Sequence, residues 1–395
     1  MVADIAIVGG GPSGLALAGI LERAGLSYIV YERSNIDVPP RGGCLDLHDG
    51  GGQLAMKEAG CYEKFREYGR GGEATIHAVW DHLGNKVFTH GEGVDSPELD
   101  REQIKQALLT TIPEENIKWG QAVTSSERNN KGDVVLHFGD GISATGFKLV
   151  IGADGSNSKI RHLVTPAKPK YAGMMFWTGE IHSSNPFYTK VEEVAKLGPM
   201  IVLGRSTMIW IQRQGDGHYR MELGFKGPEN FAEKIQVDLL DTEAVKILML
   251  TNDFFGGHAD SIKAIIEAID SSFHAWPLYY MPPDALAWKA AKGVTLIGDA
   301  AHVTTPFIGE GANIALLDSV ALARKLKEFG ISQKAVEEYE KDMFPRARDV
   351  IQKSVKSGEL YFDWNAPQSV MESSRRGVQF GGLGQKSNTT VEVGV

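Results

Sequence analysis

The chain has 395 residues, 42% hydrophobic and 23% charged, with a formal charge of −9. That is the make-up of a globular protein with room for two domains or one large discontinuous one, and with no basic excess to neutralise phosphates it argues against a nucleic-acid partner. Cys44 and Cys61 form neither a C-x-x-C pair nor a disulfide framework, so two reduced thiols are expected. The first strand begins almost at Met1, leaving no room for a secretory signal, and no apolar run is long enough for a membrane-spanning helix. A soluble, cytoplasmic protein is the expectation.

Residues 3–8 are a short apolar run suited to a buried parallel strand. They lead straight into Gly9-Gly10-Gly11-Pro12-Ser13-Gly14 and an apolar stretch over 15–21. Strand, G-x-G-x-x-G and helix in that order make a dinucleotide-binding fingerprint. Gly9 permits the tight turn, Gly11 lets the backbone approach a pyrophosphate, and Gly14 lets helix and strand pack closely. The N–H groups of the helix start, Ser13 among them, then face the phosphates. A second strand over 28–31 ends at Glu32, followed by Arg33. An acid about twenty residues past the glycines binds a ribose hydroxyl, as in FAD or NAD.

A loop rich in Pro and Gly spans 35–43 and holds Arg41. Residues 54–59 begin a helix, and 75–80 and 86–89 read as strands joined by a hairpin turn. Asp100, with Gln103 three residues on, predicts the N-terminus of a helix over 100–109. Arg101 then falls in the first turn, where the dipole disfavours a cation unless an anion is near. A hairpin over 134–148 precedes a buried strand, 149–151, that delivers Asp154 and Gly155 at its carboxyl end, where doubly wound sheets contact ligands.

From about 165 to 283 the chain is rich in aromatics and methionine and predicts an antiparallel sheet. Its strands are 171–182, 208–213 and 218–225, the last alternating Tyr219, Met221, Leu223 and Phe225 with His218, Arg220 and Glu222. A strand over 294–297 delivers Asp299 and His302, then a loop containing Pro306, Gly309, Glu310 and Gly311, and a long helix from near Ala312. An amphipathic helix is expected over 333–358, and beyond Trp364 the loss of periodicity predicts a loosely held tail. The expected domains are 1–72, 96–164 and 284–332 for a discontinuous nucleotide-binding domain, 73–95 and 165–283 for a substrate domain, 333–364 for a C-terminal helix and 365–395 for the tail.

In order and separation, the glycine turn 9–14, the Asp-Gly segment 152–161 and the Gly-Asp segment 298–313 resemble the single-component flavoprotein monooxygenases built like para-hydroxybenzoate hydroxylase. Residues 42–48 (GGCLDLH), 52–60 and 97–101 are similar to the tetracycline-inactivating branch. The resemblance covers about residues 1–350. It implies an α/β fold: a Rossmann-like FAD-binding domain with an inserted antiparallel-sheet substrate domain and a C-terminal helix. It further implies that Glu32 binds the adenosine ribose of FAD, Arg101 the ribityl–pyrophosphate region, and Asp154 both FAD and the nicotinamide cofactor. Asp299 is implied at the ribityl or pyrophosphate portion, Pro306, Gly309 and Gly311 along the flavin ring, and Ala312 and Asn313 among the cofactor-binding residues. Arg41 is implied near flavin or nicotinamide.

Where the family commonly has Gln, this chain has Glu310, a carboxylate expected to point away from an anionic reduced flavin. The reaction implied is a monooxygenation by a monomer, with NADPH or NADH as electron donor and O2 as co-substrate. A flavin C4a-hydroperoxide would hydroxylate or epoxidise an electron-rich aromatic, enol or indole-type small molecule, with the cofactor carrying the chemistry and no metal required. His302 is a candidate proton relay, with a structural hydrogen-bonding histidine as the preferred alternative. Met175, Trp177, Gln212, Arg213 and Arg220 are the substrate-pocket candidates. A flavin-dependent reductase and a non-catalytic binding protein on the same scaffold remain alternatives; a flavin halogenase is disfavoured because no W-x-W-x-I-P stretch occurs.

Overall fold

The computed structural model describes residues 3–375. The chain divides into two compact units. One comprises the residues up to Gly69, Leu99–Lys170 and Tyr280–Gln352; the other comprises Arg70–Glu98, Tyr171–Tyr279 and the chain from Lys353.

The first unit is built on five parallel strands in the order Val294–Leu296, Leu149–Gly152, Ile5–Val8 (β1), Tyr28–Tyr31 (β2) and Ile117–Lys118. β1 and Leu149–Gly152 are buried at every residue, as apolar runs are when both faces of a parallel sheet are covered. Helix α1 (Pro12–Arg23) begins with proline, whose missing N–H is no loss in a first turn. The long Gly311–Phe329 helix is tied to α1 by the Ser319 hydroxyl, which donates to the Ser13 carbonyl at 2.7 Å. Asp100 and Gln103 form the expected capping box, the Asp100 N–H donating to Gln103 Oε1 at 3.0 Å.

Because these strands are parallel, their carboxyl ends share one edge. The register pairs Val8 with both Tyr31 and Gly152, and Gly152 with Leu296. Gly9, Glu32, Ala153 and Ile297 therefore leave the sheet side by side, at a strand spacing of about 4.8 Å. Backbone bonds extend this edge: Gly9 N–H to Tyr31 O (2.9 Å), Ala153 N–H to Val8 O (2.7 Å) and Ile297 N–H to Gly152 O (2.9 Å).

The second unit holds a seven-stranded sheet in the order His274–Tyr280, Lys170–Ile181, Tyr219–Lys226, Thr207–Arg213, Met200–Gly204, His77–Asp81 and Lys86–His90. It is mixed rather than purely antiparallel, since Met200–Gly204 and His77–Asp81 pair in parallel. These two strands come from distant segments, so no hairpin dictates their direction. Side chains alternate between faces. One face, with Met175, Trp177, Ile209, Ile211, Met221, Leu223 and Phe225, packs against the helices Tyr188–Ala195, Thr242–Met249 and Asp260–Glu267 in a single core. The register puts Thr178, Glu222 and Trp210, and likewise Glu180, Arg220 and Gln212, on the opposite face.

The Gln333–Tyr361 helix matches the amphipathic pattern, running three residues beyond the expected end. Where the loss of periodicity predicted a loose tail, Gln368–Arg375 is helical, anchored by the buried Val370. The rest of the predicted tail, 376–395, lies outside the described residues.

Candidate functional site

The glycine turn divides its labour by geometry. Gly9 has φ +113°, and a Cβ there would lie 2.3 Å from the Ala153 carbonyl oxygen. A Cβ on Gly14 would lie 2.0 Å from the Gly9 oxygen. Both are locked by close backbone approach. Gly11 is different: it has ordinary extended backbone, φ −74° and ψ 178°, and a Cβ there meets nothing within 4 Å. Glycine at this position leaves open space at the amino end of α1, where N–H groups and the helix dipole favour an anion.

Glu32 stands beside this turn. Its carboxylate accepts from Gly10 N–H (2.6 Å, Oε2) and Ser34 N–H (2.8 Å, Oε1). These charge-assisted bonds fix its orientation while leaving further lone pairs for a ligand hydroxyl. Arg33, next in sequence, is exposed.

Asp154 leaves the neighbouring strand. Oδ2 accepts from Lys159 N–H at 2.6 Å, and Oδ1 is buried without a hydrogen-bond partner. Burial pushes its pKa up, against the pull of its hydrogen bonds and of Arg161. Such an unmatched oxygen is an acceptor awaiting a donor. Gly155 follows with φ +78°, where glycine is favoured.

Asp299 completes the edge. It is open to solvent yet crowded by protein, which raises its pKa; His302, Arg101 and Arg161 draw it the other way. Arg161 is a residue that sequence reasoning did not single out. It is buried, with Nε donating to the Ala300 carbonyl (2.7 Å) and one terminal nitrogen to the Asp299 carbonyl (3.0 Å), so it ties the Asp-Gly and Gly-Asp segments together.

Beneath lies a second unforeseen residue, Asp318, fully buried on the 311–329 helix. It accepts from Gly298 N–H at 2.9 Å, pairs with His302 Nε2 at 2.5 Å and takes Arg346 on its other oxygen at 2.9 Å. Burial alone would lower the pKa of His302, but Asp318 overrides it and raises it; burial alone would raise that of Asp318, but His302 and Arg346 hold it below the usual range. His302 is thus buried and paired with Asp318. Asp318, by accepting from its N–H, holds Gly298, at φ +59°, in the turn that presents Asp299.

Two further segments are knitted by Asn313. Its oxygen accepts from His48 N–H (2.8 Å) and Gly52 N–H (3.0 Å), and its nitrogen donates to the Asp46 (3.0 Å) and Gly309 (3.2 Å) carbonyls. Pro306 and Gly309 are exposed, and Gly311 and Ala312 open the long helix. Glu310 is turned to His48 Nδ1 at 3.1 Å, while His48 Nε2 meets Asp46 at 2.9 Å. Arg101 Nε donates to the Gly43 carbonyl at 3.2 Å, and Arg41 is exposed.

The substrate candidates separate by sheet face. Met175 and Trp177 are core residues, 1% and 0% exposed, so their assignment to a pocket is corrected: the helices of their own unit cover that face. Arg213 shares that face at its rim, 3.6 Å from Glu192. Gln212 and Arg220 lie on the polar face. There Arg220 Nε donates to Glu222 at 2.8 Å, a second Arg220 nitrogen lies 3.8 Å from Glu180, and the Thr178 hydroxyl donates to Glu222. The Trp210 and His77 rings meet edge-on at 5.5 Å on the same side.

The open space at Gly11, the pre-oriented Glu32 and the unpartnered Asp154 oxygen fit a dinucleotide laid across the carboxyl edge of the parallel sheet. Fold and site together define a nucleotide-binding α/β protein with a second, sheet-based unit. The chain belongs to the FAD binding domain family, whose model matches residues 2–194 and 285–354. The monooxygenase penA of Penicillium thymicola is 28% identical over 404 residues, covering 87% of this chain and 92% of its own. The FAD-dependent urate hydroxylase of Klebsiella pneumoniae is 26% identical over 370 residues, covering 90% of this chain and 89% of its own. Among solved structures, tetracycline destructase Tet(51) superposes with a TM-score of 0.69 at 22% identity, covering 95% of each chain. This protein is an FAD-dependent monooxygenase, and NAD(P)H is the electron donor typical of its family.

Proposed function

We propose that the protein, as a cytoplasmic monomer, hydroxylates an uncharged electron-rich aromatic, enol or indole-type small molecule, using O2 and NAD(P)H. Bound FAD supplies the redox chemistry, taking two electrons from NAD(P)H and activating O2 for transfer of one oxygen atom to carbon. In this reading Glu32 takes the ribose hydroxyls, and the N–H groups after Gly11 hold the pyrophosphate. Arg101 and Asp299 bind the ribityl–pyrophosphate region, and Asp154 offers its free oxygen to the cofactors. The loop 306–313 lines the flavin ring.

The substrate is assigned to the polar face of the seven-stranded sheet, where Thr178, Trp210, Gln212, Arg220 and Glu222 lie together. One observation carries the substrate class: the Arg220 guanidinium is already engaged by Glu222 and Glu180. With two acids against it, Arg220 is not a spare cation for a substrate carboxylate, and an anion set beside Glu222 and Glu180 would be repelled. Trp210 offers an apolar surface, and Gln212 can donate or accept a hydrogen bond to a hydroxyl or carbonyl.

The test is a screen of the FAD-loaded enzyme with uncharged phenols, enols and indoles beside their carboxylated counterparts. Faster NADPH or NADH consumption with the uncharged member, and one labelled oxygen atom from dioxygen in the product per NAD(P)H used, is the expected result. NAD(P)H consumption without oxygen incorporation would instead mark a reductase, and stimulation by carboxylates alone would remove the assigned substrate class.

A further inference from the structure

The pairing of His48 with Asp46 and Glu310 has no part in the reading above. His48 lies between two carboxylates, with Nε2 at 2.9 Å from Asp46 and Nδ1 at 3.1 Å from Glu310, and its side chain is 11% exposed. Ionised carboxylates only accept hydrogen bonds, and a neutral imidazole has a single N–H. Both contacts are satisfied together only when the ring carries both protons. In agreement, the two acids outweigh burial and lift the pKa of His48 to about 10. Glu310 is the residue immediately before the 311–329 helix. A negative charge there opposes what the positive end of that helix would do for an anion placed before it.

We propose that His48 is a positioning residue whose imidazolium serves as counter-ion to Glu310, so that the Asp46–His48–Glu310 group presents one excess negative charge to the flavin instead of two. This rests on the reading that the loop lines the flavin ring. The backbone scaffold does not need the imidazole: Asn313 ties residues 46, 48, 52 and 309 through its own amide. Replacing the ring therefore removes a charge while the loop stays pinned.

The test is the reduction potential of the FAD-loaded enzyme, measured for His48→Gln, Glu310→Gln and the double variant, with the affinity of each apoprotein for oxidised FAD measured separately. His48→Gln is expected to weaken the preference for reduced over oxidised flavin about tenfold, or about 30 mV for a two-electron couple. Glu310→Gln, which leaves His48 paired with Asp46, is expected to raise the potential, and the double variant to recover most of the fall.

An unchanged potential in His48→Gln, or a fall that the double variant does not recover, overturns the proposal. If His48→Gln does not retain flavin, Glu310→Gln decides alone: a rise supports the proposal and no change overturns it. The flavin absorption spectrum separates the two layers of the argument. A spectrum that responds while the potential does not leaves the loop beside the ring and removes the charge role. A spectrum and potential that both ignore all three variants remove the loop from the ring as well.

Discussion

Gly11 and Gly14 sit three residues apart in one motif, and the structure predicts opposite consequences for the same substitution at each. In Gly11→Ala the new methyl meets nothing within 4 Å, and φ −74° suits any residue. Alanine is a poorer N-cap than glycine by a few tenths of a kcal/mol to about 1 kcal/mol, while the loss of unfolded-state freedom returns about 0.4–1 kcal/mol. The stability of the apoprotein should therefore change by no more than about 0.5 kcal/mol. FAD binding should suffer, because the methyl stands where the pyrophosphate approaches the N–H groups of α1. Losing one or two charge-assisted hydrogen bonds at about 1.5–3 kcal/mol each weakens binding by roughly ten-fold to ten-thousand-fold.

In Gly14→Ala the methyl falls 2.0 Å from the Gly9 carbonyl oxygen, which is backbone and cannot swing away. Overpacking of this kind costs about 1–3 kcal/mol or more even without ligand. Denaturant unfolding of the two apoproteins, with flavin-fluorescence titration of each, reads both quantities. Wild-type FAD affinity in Gly11→Ala, or equal destabilisation of the two variants, would refute the reasoning.

Asp299→Ala should lose flavin during purification while the apoprotein unfolds near the wild-type midpoint, because the side chain is open to solvent; the flavin-to-protein absorbance ratio and a urea curve check both. Asp318→Asn strands the buried His302 and should destabilise the fold by about 3–5 kcal/mol in denaturant unfolding. The His302 pKa is raised, so the stability this pair contributes is complete below the ordinary histidine pKa near ~6.5 and fades as pH rises through the higher folded value; the lowered Asp318 pKa makes it fade again as pH falls through that value. In wild type, unfolding free energy should fall on both sides of this window, and the alkaline fall should flatten in Asp318→Asn. Trp177→Ala should cost about 3–5 kcal/mol as a core cavity with FAD affinity unchanged; a stable variant that lost only its response to substrate would return Trp177 to the pocket.

What sequence reasoning could and could not reach follows from the range of the interactions. The glycine turn, Glu32, Asp154 and Asp299 each follow a short apolar strand directly, and a parallel sheet places all such strand ends on one edge. Local pattern plus one topological rule was therefore enough to bring residues 9, 32, 154 and 299 together. Arg161 and Asp318 act by contacts 138, 139, 16, 20 and 28 residues away in sequence, and neither residue announces such partners in its local pattern.

The sheet of the second unit shows a different limit. Alternation along 219–226 says which residues share a face, but not which face the helices cover, because inverting the assignment leaves the pattern intact. Only the register of Lys170–Ile181 against Tyr219–Lys226 puts Trp177 beside Leu223 in the core and Thr178 beside Glu222 on the polar side. The same register sets Glu180 opposite Arg220, and this turns an arginine that could have called for an acidic substrate into one already neutralised. A one-residue change in strand pairing would thus reverse the expected substrate chemistry while leaving the cofactor reading untouched.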